Sequence, residues 1–255
     1  MATSKLPEFP VRTEAPLGQR HVSMSNQFAR AAHGLSLAEK RVIACGLANS
    51  DSRSARSLAV ATRYGGWMVR LAAVDYAEVM GITPQAAYMQ LKDVAATLIK
   101  KQWTVTEGKK VSRYNWLSRM TYHEEQGWVE LEFTHHTAPH VLGLQKQFTS
   151  YQLQQASALR SVYSWRLMEQ LQSWSNKGIY RISVEEFCKV MDAKPSHKKD
   201  FGMLRRSVIE PAVKELTQKD GFEIEWKPLK SGRKVTDLHF TFKLPAESKQ
   251  GRLDV

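Results

Sequence analysis

The sequence predicts an α+β protein in which one small unit is used twice. Three observations carry that expectation. The stretch Arg70–Met80 is echoed at Arg181–Met191, with Arg, Val and Met matching outright and Leu/Ile, Asp/Glu, Tyr/Phe and Ala/Cys matching in kind. Around each echo the hydrophobic periods run in one order: helix, strand, helix, helix, then strand, turn, strand. Each half also carries a similar excess of positive charge, a net +5 over 1–144 and +6 over 145–247, with +1 in the rest. A helix-turn-helix followed by a β-hairpin is a winged helix. The expected architecture is therefore two tandem winged-helix domains related by a pseudo-two-fold internal repeat.

The second copy is the plainer one. Leu159, Val162, Tyr163, Leu167 and Leu171 recur at helical spacing and predict a long helix from Leu153 to Trp174, stopped by Gly178. Ile179–Ile182 reads as a short strand. Ser183 and Glu186 form a capping-box signature for a helix over Val184–Met191. After a polar loop with Pro195, an apolar face of Phe201, Leu204, Val208, Ala212 and Leu216, flanked by Ile209 and Val213, predicts a helix over 200–219. Pro211 inside it removes one backbone donor and predicts a local kink. Phe222–Trp226 and Val235–Leu244 alternate as strands about the turn Lys230–Arg233.

The first copy repeats the order. Ser36 and Glu39 cap a helix over Leu37–Ala48, followed by a long loop, Asn49–Gly66. Trp67–Leu71 is a strand and Val74–Met80 a helix ending at Gly81. Thr83 as N-cap and Pro84 at the first position start a helix to Lys100, with Ala87, Leu91, Val94 and Leu98 on its buried face. Trp103–Thr106 and Val111–Tyr122 predict a hairpin about Glu107–Lys110, and Trp128–Phe133 a further strand. The division expected is a flexible arm at 1–24, a first domain at 25–134, a junction at 135–148, a second domain at 149–245 and a flexible tail at 246–255.

Composition excludes several function classes. The 255 residues hold 37 Lys and Arg against 25 Asp and Glu, a formal +12 that favours polyanions: nucleic acid first, an anionic membrane surface second. Only Cys45 and Cys188 are present, so neither a disulfide scaffold nor a thiolate zinc site is expected, and a reducing cytoplasm fits. No apolar run approaches the ~20 residues of a membrane span. The segment before Gly18, with three prolines and no apolar core, does not read as a signal peptide.

The candidate site follows from where charge meets a helix face. In a helix-turn-helix the second helix enters the major groove. On the helix over 200–219, the side opposite the core carries Gly202, Arg205, Arg206 and Lys214, with Lys198 and Lys199 just before an N-terminus that itself favours phosphate. Arg pairs bidentately with guanine, so Arg205 and Arg206 are the leading base contacts. Lys230, Arg233 and Lys234 at the hairpin suit adjacent phosphates. In the first copy the corresponding face shows Gln85, Met89, Lys92 and Ala96; Gln85 suits adenine and Lys92 phosphate. The competing reading of each set is a solvated helix surface.

Other chemistry is weaker. His135, His136 and His140 invite a metal or nuclease reading, but Pro139 interrupts helical pairing of His136 with His140, and no HExxH or Cys partner exists. No metal, cofactor or catalytic residue is expected. The tryptophans could stack single-stranded bases, but at sites such as Trp103, Trp128 and Trp165 core packing is the simpler use.

Four segments in order resemble the iteron-binding plasmid replication initiators. They are Leu35–Arg41; Phe148–Tyr151 with Ser161–Leu171; Phe201 with Arg205–Leu216, including the odd proline; and Gly232–Val235 with Leu238, Phe240 and Phe242. Where that family favours a Tyr late in the second segment, this chain has Met168. The resemblance implies a non-enzymatic bacterial cytoplasmic protein. It would bind repeated origin double-stranded DNA as a monomer, help melt an adjacent AT-rich segment, and recruit host initiator and replicative helicase. As a homodimer it would bind an operator inverted repeat and repress its own gene. The first domain would contact DNA backbone and serve dimerisation through Trp103–Tyr122 and His135–Phe148, and the second would be the main reader. The alternative functions are a winged-helix transcriptional regulator without a replication role and a DNA-nicking enzyme.

Overall fold

The computed structural model describes residues 6–8, 15–123 and 126–245. They divide into two compact units: the described residues up to Phe28 with Gly34–Ser157, and Ala29–His33 with the described residues from Ala158 onward. Residues 149–157, expected in the second domain, therefore fold with the first. The expected tail, 246–255, lies outside the described residues.

The first unit begins earlier than the expected arm allows. After a 3₁₀ turn at Leu17–Gln19, β1 (His21–Ser25) buries Val22 and Met24 and pairs antiparallel with Phe148–Gln152. The turn α1 (Asn26–Ala29) follows. α2 (Leu37–Ala48) starts on the predicted capping box: Glu39 N–H donates to Ser36 Oγ at 3.4 Å and Ser36 N–H to Glu39 Oε2 at 2.8 Å. The expected loop over 49–66 instead contains α3 (Ala55–Tyr64), capped by Ser54 and closed by Gly65 at φ 82°. Only glycine fits at Gly66, where a Cβ would lie 2.1 Å from the Phe133 carbonyl oxygen. That close approach opens β2 (Gly66–Ala72).

α4 (Ala73–Met80) and α5 (Pro84–Leu98) form the helix-turn-helix, with Gly81 in αL and Thr83 Oγ1 accepting from Ala86 N–H at 3.2 Å. The expected hairpin is then corrected. β3 (Gln102–Glu107) pairs with β4 (Lys110–Asn115) as a separate two-stranded sheet. The stretch 111–122 breaks at Trp116, whose ring is fully buried and whose N–H leaves the ladder for Lys101 C=O. β5 (Leu117–His123) and β6 (Trp128–Thr134) make the true wing, in an antiparallel sheet ordered β2-β6-β5. The expected junction holds α6 (Ala138–Val141), and β7 (Phe148–Gln152), the partner of β1, starts on its last residue. α7 (Leu153–Ser157) ends this unit.

The predicted helix over 153–174 is thus two helices. α8 (Val162–Ser173) has its own N-cap, Ser161. It carries a buried charged cluster: Arg166 Nη1 meets Glu169 Oε2 at 2.7 Å, and its Nη2 donates to Ala31 and Val190 C=O at 2.5 and 3.0 Å. Each charge has a partner, as burial demands. β8 (Ile179–Ser183) leads to α9 (Val184–Val190), capped by Ser183 Oγ. The loop expected at Pro195 is α10 (Pro195–Lys199), with proline at its first position. The long helix is continuous but mixed: α11 (Phe201–Leu204), a π turn (Arg205–Ile209) and α12 (Glu210–Lys219). The strand expected over 222–226 runs longer, as β9 (Glu223–Ser231), and pairs with β10 (Lys234–Lys243). β10 lies between β8 and β9, burying Leu238, Phe240 and Phe242.

Candidate nucleic-acid interface

The second unit assembles the predicted cations on one helix-turn-helix and one hairpin. α9 and α10 lead into the second helix, whose Leu204, Val208, Ile209, Ala212 and Leu216 are buried. The opposite side is exposed at Met203, Arg205, Arg206, Ser207, Glu210 and Lys214. Met203, Ser207 and Glu210 were not singled out in the sequence. An unbroken α-helical wheel does not anticipate the π turn that groups Arg205 with Glu210. Arg205 Nε stands 3.0 Å from Glu210 Oε1, both side chains about half exposed. Arg206 lies across Gly202, where a Cβ would sit 3.4 Å from its Nη1 and 3.1 Å from Asp200 Oδ1.

Lys198 and Lys199 are exposed in α10, as expected, but the helix N-terminus beside them is already occupied. Asp200 Oδ1 accepts from Gly202 N–H at 2.7 Å and Met203 N–H at 3.3 Å. A carboxylate thus takes the place the sequence reading kept for phosphate. The wing exposes Lys227, Lys230, Arg233 and Lys234, the last three around the turn at Gly232, where φ is 59°. Lys227 belongs with them, because the stretch 227–234 holds no acid.

The first unit offers a different surface. Gln85, Met89, Lys92 and Ala96 are exposed on α5 as predicted. Asp75 and Glu78 on α4 and Asp93 on α5 are exposed as well, so cations do not dominate this helix-turn-helix. On its sheet, Arg119 pairs with Glu132 and Arg70 Nε lies 3.5 Å from Glu130 Oε1.

The histidine cluster sits beside the β3–β4 hairpin. His140 Nδ1 is 2.9 Å from Ser25 Oγ and its ring stacks on Phe28 at 5.4 Å. Burial holds His140 below the usual imidazole range; burial and the neighbouring His135 do the same for His136. Among the described residues no group of His, Cys, Asp and Glu is arranged to hold a metal. Trp67, Trp103, Trp116 and Trp165 are buried. Trp128 stacks on His123 at 3.6 Å and carries the Arg70 guanidinium over its ring at 4.9 Å, so one expected core ring is instead half-buried and in contact with polar side chains. Among the described residues no helix is long and apolar enough to cross a membrane.

Comparison with known proteins matches this organisation. The family model of the initiator replication protein WH1 domain matches residues 21–172, and that of the initiator Rep protein WH2 domain matches 183–242. An uncharacterized 27.6 kDa protein of Escherichia coli is 26% identical over 209 positions, covering 78% of this chain and 85% of that protein. The PI protein of Escherichia coli is 25% identical over 258 positions, covering 86% and 81%. The crystal structure of Pi initiator protein in complex with iteron DNA superposes with a TM-score of 0.70 at 21% identity, covering 90% of this chain and 99% of that one.

Proposed function

We infer the function of this chain from the family to which it belongs, the replication initiator proteins with tandem WH1 and WH2 winged-helix domains. It is a plasmid replication initiator that reads double-stranded origin repeats, the iterons. The observation that carries this reading is the placement of charge in the second unit. One exposed helix face with Arg205, Arg206 and Lys214 is preceded in the chain by exposed Lys198 and Lys199 and followed by a wing that exposes Lys227, Lys230, Arg233 and Lys234. In that arrangement the helix arginines face base edges in the major groove and the lysines hold phosphates. Gln85, suited to adenine, and Lys92, suited to phosphate, supply a weaker contact from the first unit. The likeness to a solved initiator bound to iteron DNA supports the same reading.

The protein acts without catalysis of its own. It binds iterons as a monomer, helps open adjacent AT-rich DNA, and brings the host initiator and helicase to the origin. As a homodimer, formed through Trp103–Tyr122 and His135–Phe148 of the first unit, it binds an inverted repeat and represses its own gene.

Footprinting the purified protein on the DNA upstream of its own coding region tests this. Protected direct repeats at regular spacing, with loss of plasmid replication on deletion of the gene, are expected. A protected inverted repeat alone, with replication intact, would make the chain a transcriptional regulator.

A further inference from the structure

We propose that Glu210 is a positioning residue for DNA reading. It holds the Arg205 guanidinium so that its outer edge is free for a base, and Pro211 is what places Glu210 there. This rests on the reading of Arg205 as a base contact.

Residues five apart point about 140° away from each other around an α-helix, and do not meet. Arg205 and Glu210 nevertheless pair at 3.0 Å. The π turn explains how: Glu210 N–H donates to Arg205 C=O, which stacks residues i and i+5 on one face. Pro211 explains why the turn is there. Proline has no N–H for the Ser207 carbonyl, and in an unbroken α-helix its ring would clash with that oxygen. The extra residue of the π turn relieves the clash. The α-helix restarts at Glu210, with Pro211 in the first turn, where proline is tolerated.

The pair does little for stability. Arg205 and Glu210 are 53% and 46% exposed, and an exposed ion pair contributes little. A carboxylate on a helix that faces phosphates also weakens binding to any duplex. Its benefit must lie in orientation. By taking Nε, Glu210 leaves the two terminal nitrogens as a planar fork, which matches O6 and N7 of a guanine. A fork already held loses less freedom on binding.

The test uses the full chain as wild type, Glu210→Ala, Glu210→Gln, Arg205→Ala and the double alanine variant. The probes are the duplex protected in footprinting, its single-base-pair variants, and random duplex of equal length. Arg205→Ala should relax preference at one G·C pair. Glu210→Ala should relax it at the same pair and lower the specific-to-random ratio about 3- to 10-fold, with random duplex bound as well or better and thermal melting unchanged. Glu210→Gln, whose amide oxygen still accepts from Nε, should keep most of the ratio. On the Arg205→Ala background, Glu210→Ala should change the ratio no further. An unchanged ratio for Glu210→Ala, relaxation at a different base pair, or a further loss in the double variant would each overturn the proposal. If Arg205→Ala itself leaves base preference intact, the base-contact reading fails first and takes the positioning role with it.

Discussion

The two helix-turn-helix segments share an order of elements and differ in what they show to solvent. In the first unit, α4 and α5 expose Asp75, Glu78 and Asp93 beside Gln85 and Lys92, and the sheet beside them commits Arg70 and Arg119 to Glu130 and Glu132. In the second, α9 exposes Glu185 and the helix after α10 exposes Glu210, but that helix also exposes Arg205, Arg206 and Lys214, with Lys198 and Lys199 before it, and its wing carries cations without acids over 227–234. Nothing in the fold requires that difference. A winged helix dictates which side of its second helix faces out; the residues there decide whether a polyanion is drawn to it. The units differ in their frames too. The opening helix of the first is held through Glu39, with Thr97 Oγ1 donating at 2.7 Å and Lys101 Nζ at 3.3 Å. In α8 of the second, Arg166 and Glu169 are wholly buried.

The largest expected effect breaks the second frame. Glu169→Ala leaves the Arg166 charge buried without its carboxylate and should destabilise the second unit by about 3–5 kcal/mol; denaturant melts following tryptophan fluorescence check this. Lys101→Ala in the first frame removes a partly exposed partner, and a loss of similar size there would erase the contrast.

Next come the readers. Arg206→Ala should cost about 1–3 kcal/mol on specific DNA and relax base preference, whereas Gln85→Ala in the first unit should cost less. Mobility-shift titrations on specific and random duplex compare them. Equal losses on both duplexes would remove Arg206 from base reading, and a larger loss for Gln85→Ala would invert the assignment of the main reader.

The end of the long helix adds a pH dependence with no counterpart at the end of α5. Burial, then the nearby Glu215, pushes Asp220 up to about 7, and its Oδ2 lacks a hydrogen-bond partner. An unfolded aspartate titrates near ~3.9. The folded chain therefore binds the proton more tightly. Stability from this group falls as pH rises from about 4 to about 7 and stays lost above that. Asp220→Asn should flatten this window and raise stability at neutral pH by on the order of 1–3 kcal/mol. Melting curves between about pH 4 and about pH 8, which bracket that window, measure it; an unchanged pH profile would assign Asp220 no such role.

The smallest effect concerns the wing. Lys230→Ala and Lys234→Ala should each weaken every duplex alike and reduce the salt slope by about one unit. A slope that does not move would take the wing off the DNA.

How much of this was legible follows from the range of each signal. Caps and close periodicities are local, so Ser36 with Glu39, Thr83 with Pro84, and the buried faces of α5 and α12 could be read directly. The helix α3 is hard to see in the sequence although Ser54 and Gly65 bracket it, because its arginines and serines have the composition of a loop. The break at Trp116 was invisible for a different reason: alternation runs through it, and only burial of the ring and the bond from its N–H to Lys101 end the strand. The strand Phe148–Gln152 reads as the start of a second domain until β1 claims it.

By itself the sequence determined that this chain repeats a helix-turn-helix-and-hairpin pattern and that its clearest cationic face lies on the second copy. Periodicity, capping and charge are properties of neighbouring residues, and they survive without coordinates. Only the tertiary structure decided which strands pair, where the units divide, and that a π turn just before Pro211 brings Glu210 to Arg205. Those depend on partners distant in sequence or on a change of helical register, and no count along the chain contains either.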